Sequence, residues 1–146
     1  MKICMIGTGY VGLVSGTCFA DIGHQVYCVD KDVSKINKLN SGISPIYEPG
    51  LDELIKKNHK AKRLYFTSNL KKAITFSDII FICVGTPNIK GSLKVDLSFV
   101  FKCTKEILSI TKKKKIIVTK STVPVGTGDH IEKIIKKKIK LFSVIS

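Results

Sequence analysis

Gly7, Gly9 and Gly12 stand at G-x-G-x-x-G spacing directly after the apolar run Ile3-Cys4-Met5-Ile6, and an acid, Asp30, closes the next apolar run, Val26-Tyr27-Cys28-Val29. Those residue types in that order suit the gripping of a dinucleotide. Gly7 permits a tight turn off a strand, Gly9 lets the backbone approach a pyrophosphate with no side chain in the way, and Gly12 lets the next helix pack closely on the sheet. The loop that also carries Thr8, Tyr10 and Val11 opens that helix, whose first N–H groups and positive dipole end face the phosphates. Asp30, about twenty residues on, is placed to accept hydrogen bonds from the hydroxyls of an adenosine ribose. Its carboxylate would repel a 2′-phosphate, which favours NAD over NADP, although Lys31 or Lys35 could meet such a phosphate. Three glycines alone are a weak signal. Here the preceding strand, the small residues Gly12, Gly16 and Ala20 along the helix, and the acid at the second strand end all agree.

Two further loops share that chemistry. Gly85-Thr86-Pro87 follows the apolar run ending at Val84, and Lys120-Ser121-Thr122-Val123-Pro124-Val125-Gly126-Thr127 follows the run ending at Thr119. In an open α/β sheet, ligands bind outside the carboxyl ends of the strands where strand order reverses. Gly85, Thr86, Pro87, Ser121 and Thr122 would therefore share an edge with Gly7 to Gly12 and Asp30, presenting amides and hydroxyls to one cofactor.

Positioning these loops requires a parallel sheet, and the chain is patterned for one. Apolar, β-branched runs predict strands over 2–6, 26–29, 64–67, 79–84, 115–119 and 141–145, and helical periodicity predicts helices over 11–22, 33–41, 52–58, 70–76, 97–111 and 129–138. Asp96 is the expected N-cap of the fifth helix. The expectation is an α/β fold: a doubly wound, mostly parallel Rossmann sheet of six strands in order 3-2-1-4-5-6, with helices on both faces. A chain of 146 residues is the size of one domain, and no second domain boundary or internal repeat is visible.

Bulk composition narrows the function classes. No apolar run reaches the ~18 residues of a membrane span, and the N-terminus reads as a strand and glycine loop, not a signal sequence, so a cytoplasmic protein is expected. The five cysteines, Cys4, Cys18, Cys28, Cys83 and Cys103, lack any C-x-x-C or Cys/His spacing and read as core thiols. The net charge of +14 rests on lysine, with runs at 112–115 and 136–138. Without aromatic interleaving or a nucleic-acid motif, those runs read as a solvated face; Ile131, Ile134 and Ile135 alternate with Lys133, Lys136 and Lys137 as in an ordinary amphipathic helix. A nucleic-acid partner and a membrane partner are not expected. His24, His59 and His130 have no visible catalytic partner, and no spacing suits a metal.

The chain resembles the N-terminal NAD-binding domain of the UDP-glucose/GDP-mannose dehydrogenase family over essentially its whole length. The resemblance rests on the glycine loop through Leu13, Gly23-His24, Val29-Asp30, Ser44-Pro45-Ile46-Tyr47-Glu48-Pro49-Gly50-Leu51, Val84-Gly85-Thr86-Pro87 and the run 120–127. The runs YEPGL and KSTVPVGT are far more specific than the glycines, and look more like the UDP-glucose-oxidising members than the GDP-mannose or N-acetylhexosamine ones. The resemblance implies NAD-dependent oxidation of a sugar-nucleotide C6 alcohol to a carboxylate in two hydride transfers. It also implies that Val11, Asp30, Lys35, Thr86 and Thr122 contact NAD, with Asp30 and Lys35 around the adenosine ribose. Thr122 would lie near the nicotinamide, positioning a water or a proton relay; its alternative reading is a hydroxyl bonded to its own turn. Members of the family are homo-oligomers and carry a central helix, a second dinucleotide-like domain and a catalytic cysteine in parts that match nothing in residues 1–146. UDP-glucose binding is therefore expected only with those parts, and the chain by itself is expected to be inactive. A stand-alone NAD-binding or interaction module is the alternative; a hydroxyacyl dehydrogenase is disfavoured by YEPGL and KSTVPVGT.

Overall fold

A computed structural model describes residues 1–92, 94–111, 113–136 and 142–145. The elements run β1 (Lys2–Ile6), α1 (Tyr10–Asp21), β2 (Gln25–Val29), α2 (Val33–Asn40), α3 (Leu51–Lys60), β3 (Leu64–Thr67), α4 (Leu70–Phe76), β4 (Ile79–Ile82), α5 (Ser98–Ile110), β5 (Lys115–Thr119), α6 (Thr127–Lys136) and β6 (Phe142–Ile145). The strands form one six-stranded sheet in the order β3-β2-β1-β4-β5-β6, each neighbouring pair parallel. The strand order reverses between β1 and β4, so the loops leaving these two strands diverge to opposite faces and open a crevice between them.

The register sorts the strand residues between two cores. Ile3, Met5, Val26, Cys28, Leu64 and Phe66 pack with Leu13 and Ala20 of α1, Ile36 and Leu39 of α2, and Leu51 and Ile55 of α3. On the other face Cys4, Ile6, Val29, Ile80, Ile82 and Ile117 pack with Ala73 and Ile74 of α4, Val100, Cys103, Ile107 and Leu108 of α5, and Ile131 and Ile135 of α6. Full burial of such a side chain contributes about 1.5–3 kcal/mol. That burial holds the strand ends, and hence the loops, in fixed relation.

Several expected details differ. β4 stops at Ile82 instead of reaching residue 84, because the chain leaves the ladder and the Val84 carbonyl accepts the Ser121 hydroxyl at 2.7 Å. Asp96 is not the N-cap of α5; Leu97 is, and the Asp96 carboxylate accepts the Ser98 N–H at 2.8 Å from one position further out, the two-residue reach of an Asx turn. Lys115, expected on a solvated face, is buried and donates its ammonium to the Ser77 carbonyl. Being first in a central strand, it places its stem among core residues and its head at the sheet's lower end. Lys133 is exposed opposite the buried Ile131 and Ile135, as the amphipathic pattern requires. Lys112, Lys137, Lys138 and residue 141 lie outside the described residues. Four cysteines are buried, but Cys18 is exposed on α1.

Candidate functional site

At the carboxyl end of β1 the backbone turns at Gly7, with φ of +105°. A Cβ there would stand 2.5 Å from the Cys83 carbonyl oxygen, and one on Gly12 would stand 1.9 Å from that of Gly7. Both positions are closed by backbone that cannot move aside, so glycine there is a requirement of the fold. Gly9 is different: a Cβ built on it meets nothing within 4 Å. It would project into open space above the loop, the place a ligand's phosphates would take.

The loop amides divide in the same way. Gly7 N–H is spent on the Val29 carbonyl at 2.7 Å, and Thr8 N–H on the Asp30 carboxylate at 3.0 Å. The first helical bond closes from Leu13 N–H to the Gly9 carbonyl at 2.9 Å. The amides of Tyr10, Val11 and Gly12 therefore precede the helical ladder, as the first-turn donors of any helix do. These, with Gly9, fit a diphosphate; those of Gly7 and Thr8 are already engaged. Tyr10 and Val11 are exposed on the same edge.

Asp30 directly follows β2 beside this loop. Its Oδ2 accepts the Thr8 hydroxyl at 2.7 Å and the Lys35 ammonium at 3.3 Å as well as the Thr8 amide, and its Oδ1 accepts the Asp32 N–H at 3.1 Å. Partial burial pushes the carboxyl up, but the Thr8 and Asp32 bonds and the Lys35 charge outweigh it and hold Asp30 below the usual carboxylate range. The group is thus an ionised acceptor with its orientation set before any ligand arrives. Lys35, which could have met a 2′-phosphate, is paired with Asp30 instead, and Lys31 lies over the Phe99 ring at 5.4 Å.

The loops after β4 and β5 are cross-tied. Thr86 donates its hydroxyl to the Thr122 carbonyl at 2.9 Å, and Ser121 donates its own to the Val84 carbonyl. Thr122 is exposed, and its hydroxyl does not close its own turn; that bond is made by Thr127, whose hydroxyl reaches the Pro124 carbonyl at 2.7 Å. Gly85 and Pro87 are exposed beside it. The fold therefore brings Gly7 to Gly12, Asp30, Lys35, Gly85 to Pro87, Ser121 and Thr122 to one edge, as their strand positions imply.

Two arrangements were not read from the sequence. Thr8, counted among the candidate cofactor contacts, is wholly buried and turned toward Asp30. Tyr10 donates its hydroxyl to the Tyr47 carbonyl at 2.6 Å, so YEPGL lies against the start of α1. The polar type of Thr8, between two glycines, was the available signal for the first; no local signal marks the second, whose partners are 37 residues apart.

Of the remaining nucleophiles and bases, Cys83 lies buried beneath the glycine loop. Burial pushes the Cys83 and Cys103 thiols up to about 12 and raises Cys4 and Cys28 as well. His24 stands by Phe19 and the N-terminus, His59 Nδ1 is 3.0 Å from the Leu64 carbonyl, and the ring of His130 lies 4.7 Å from that of Phe101. Among the described residues no group of His, Cys, Asp and Glu could hold a metal ion, and no helix is long and apolar enough to cross a membrane.

Sheet order, glycine loop and strand-end acid together define a dinucleotide-binding domain of the Rossmann class. The family model for the UDP-glucose/GDP-mannose dehydrogenase family, NAD binding domain, matches residues 1–145. A UDP-glucose 6-dehydrogenase of Rhizobium meliloti (strain 1021) is 56% identical over 137 residues, which cover 94% of this chain and 31% of that protein. One of Bacillus subtilis (strain 168) is 52% identical, over 99% of this chain and 32% of its own length. The solved structure of a ternary complex of GDP-mannose dehydrogenase from Pseudomonas aeruginosa superposes with a TM-score of 0.90 at 38% identity, covering 99% of this chain and 35% of that one. The chain belongs to the UDP-glucose/GDP-mannose dehydrogenase family and corresponds to its NAD-binding domain. It spans about a third of the length of the relatives it matches.

Proposed function

We propose that residues 1–146 are the NAD-binding domain of a UDP-glucose 6-dehydrogenase, the enzyme type that oxidises the C6 alcohol of UDP-glucose to a carboxylate with two NAD. The observation that carries the cofactor assignment is the open space over Gly9 flanked by first-turn amides on one side and the ionised, fixed Asp30 on the other. The choice of UDP-glucose rests on the 56% and 52% identity to relatives of that name.

In this reading the amides of Gly9 to Gly12 hold the diphosphate, and Asp30 accepts from the adenosine ribose with Lys35 beside it. Gly85, Thr86, Pro87 and Ser121 form the wall on the far side of the crevice. Thr122, exposed and with its hydroxyl free of its own turn, positions a water or proton near the reacting carbon. When bound, NAD supplies the hydride acceptor.

Oxidation through a covalent intermediate needs a thiolate within reach of the substrate carbon. Cys4, Cys28, Cys83 and Cys103 are buried with raised thiol pKa, and exposed Cys18 lies on the third turn of α1. The family resemblance implies that the nucleophile and the sugar-binding groups belong to the two-thirds of the relatives' length that this chain does not span. Separate calorimetric titrations test the proposal: residues 1–146 should bind NAD, leave UDP-glucose unbound and show no turnover. Oxidation of UDP-glucose by this chain alone would overturn it.

A further inference from the structure

Thr8 occupies a position that a nucleotide-gripping loop does not require to be polar. It stands between the two glycines that turn the chain off β1, yet its side chain points inward and is wholly buried. Both of its donors go to one atom: the amide at 3.0 Å and the hydroxyl at 2.7 Å reach Oδ2 of Asp30, which the sequence separates from it by 22 residues. The Lys35 ammonium completes the ring of donors on that oxygen at 3.3 Å. Three donors saturate Oδ2, while among the described residues Oδ1 accepts only the Asp32 amide. A carboxylate oxygen accepts about two hydrogen bonds, so the capacity left to Asp30 is on Oδ1.

From this geometry we infer that Thr8 is a positioning residue for cofactor choice: by clamping Oδ2 it presents Oδ1 to a ribose diol and keeps Lys35 committed to Asp30, away from a 2′-phosphate. The inference rests on the NAD-binding reading above and deepens it. Removing the hydroxyl leaves Asp30 with the Thr8 amide as the loop's single hold. The carboxylate can then swing, its fit to the diol loosens, and Lys35 is released to meet a phosphate. Discrimination between the two dinucleotides falls because the favourable contact weakens while the repulsive one relaxes. A hydrogen bond to a charged group is the strong kind, and an effect of about tenfold in affinity corresponds to ~1.4 kcal/mol.

The experiment is calorimetric titration of NAD and of NADP into wild type, Thr8→Val and Thr8→Ser, with thermal melts to verify folding. Valine matches threonine in shape and removes only the hydroxyl; serine keeps it. NAD affinity should fall about tenfold in Thr8→Val, the NAD-to-NADP preference should narrow by at least that factor, and Thr8→Ser should restore both. In an Asp30→Ala background, Thr8→Val should change NAD affinity no further, since its effect runs through the lost carboxylate. Where valine is not accommodated, Thr8→Ala gives the same readout by removing atoms alone. An unchanged preference in Thr8→Val and Thr8→Ala, or equal weakening toward both dinucleotides, overturns the inference. Absence of NAD binding by the folded wild type overturns instead the reading on which it rests.

Discussion

The Thr86 hydroxyl donates to the backbone carbonyl of Thr122 at 2.9 Å, joining the loop after β4 to the loop after β5 across 36 residues of sequence. With the Ser121 hydroxyl on the Val84 carbonyl, it makes the two loops one wall of the crevice facing the glycine loop. Replacing Thr86 by Val keeps the shape and removes the donor. Such a bond contributes about 0.5–1.5 kcal/mol, so Thr86→Val should lower stability by roughly that amount in denaturant unfolding. NAD affinity should fall with it, as the Thr122 segment loses its tether.

Gly9 and Gly12 belong to the same motif but answer to different constraints, and one pair of substitutions separates them. Gly12→Ala forces a Cβ to 1.9 Å from a backbone oxygen and should destabilise the domain by about 1–3 kcal/mol or more. Gly9→Ala meets nothing within 4 Å, at an extended backbone with φ of −77°. Its melting temperature should match wild type while calorimetry shows NAD binding lost. Retained NAD binding in Gly9→Ala would remove that open space from the site.

The Asp30 carboxyl is held below its ordinary value of 3.8 in the folded chain. A folded-state pKa lower than the unfolded one contributes stability that is fully present above the unfolded value and is lost as pH falls through the folded one. The stability difference between wild type and Asp30→Asn should therefore be constant at neutral pH, shrink below about pH 3.8, and level off in stronger acid. Urea unfolding of both proteins across that range checks the sign.

Thiol chemistry should single out one cysteine of five. Cys18 is exposed, whereas the other four are buried and their thiols are raised by desolvation. Because the thiolate is the reactive form, brief alkylation of the native protein near pH 8 should modify Cys18 alone, with all five labelled in denaturant. Mass spectrometry of the digested protein reads the result directly.

Local sequence determined much of this protein. Apolar, β-branched runs and period-3.6 patterns announced six strands and six helices, and the edge that holds Gly9, Asp30, Thr86 and Thr122 followed from strand order, because loops leaving the carboxyl ends of parallel strands must emerge together. Those features depend on neighbours in the chain or on topology, and both are written in the residue pattern.

What tertiary structure decided were the partners of individual polar groups. Thr8 turns inward to Asp30, Lys35 pairs with that acid, Tyr10 reaches Tyr47, Thr127 closes the turn that Thr122 leaves alone, and Lys115 buries its head against Ser77. A polar side chain in a folded chain takes whatever donor or acceptor burial brings within about 3 Å. Except for Lys35 and Thr127, that partner lies more than 20 residues away in each of these cases. Residue type can say that a bond will be made, but only packing of the helices onto the sheet says to whom.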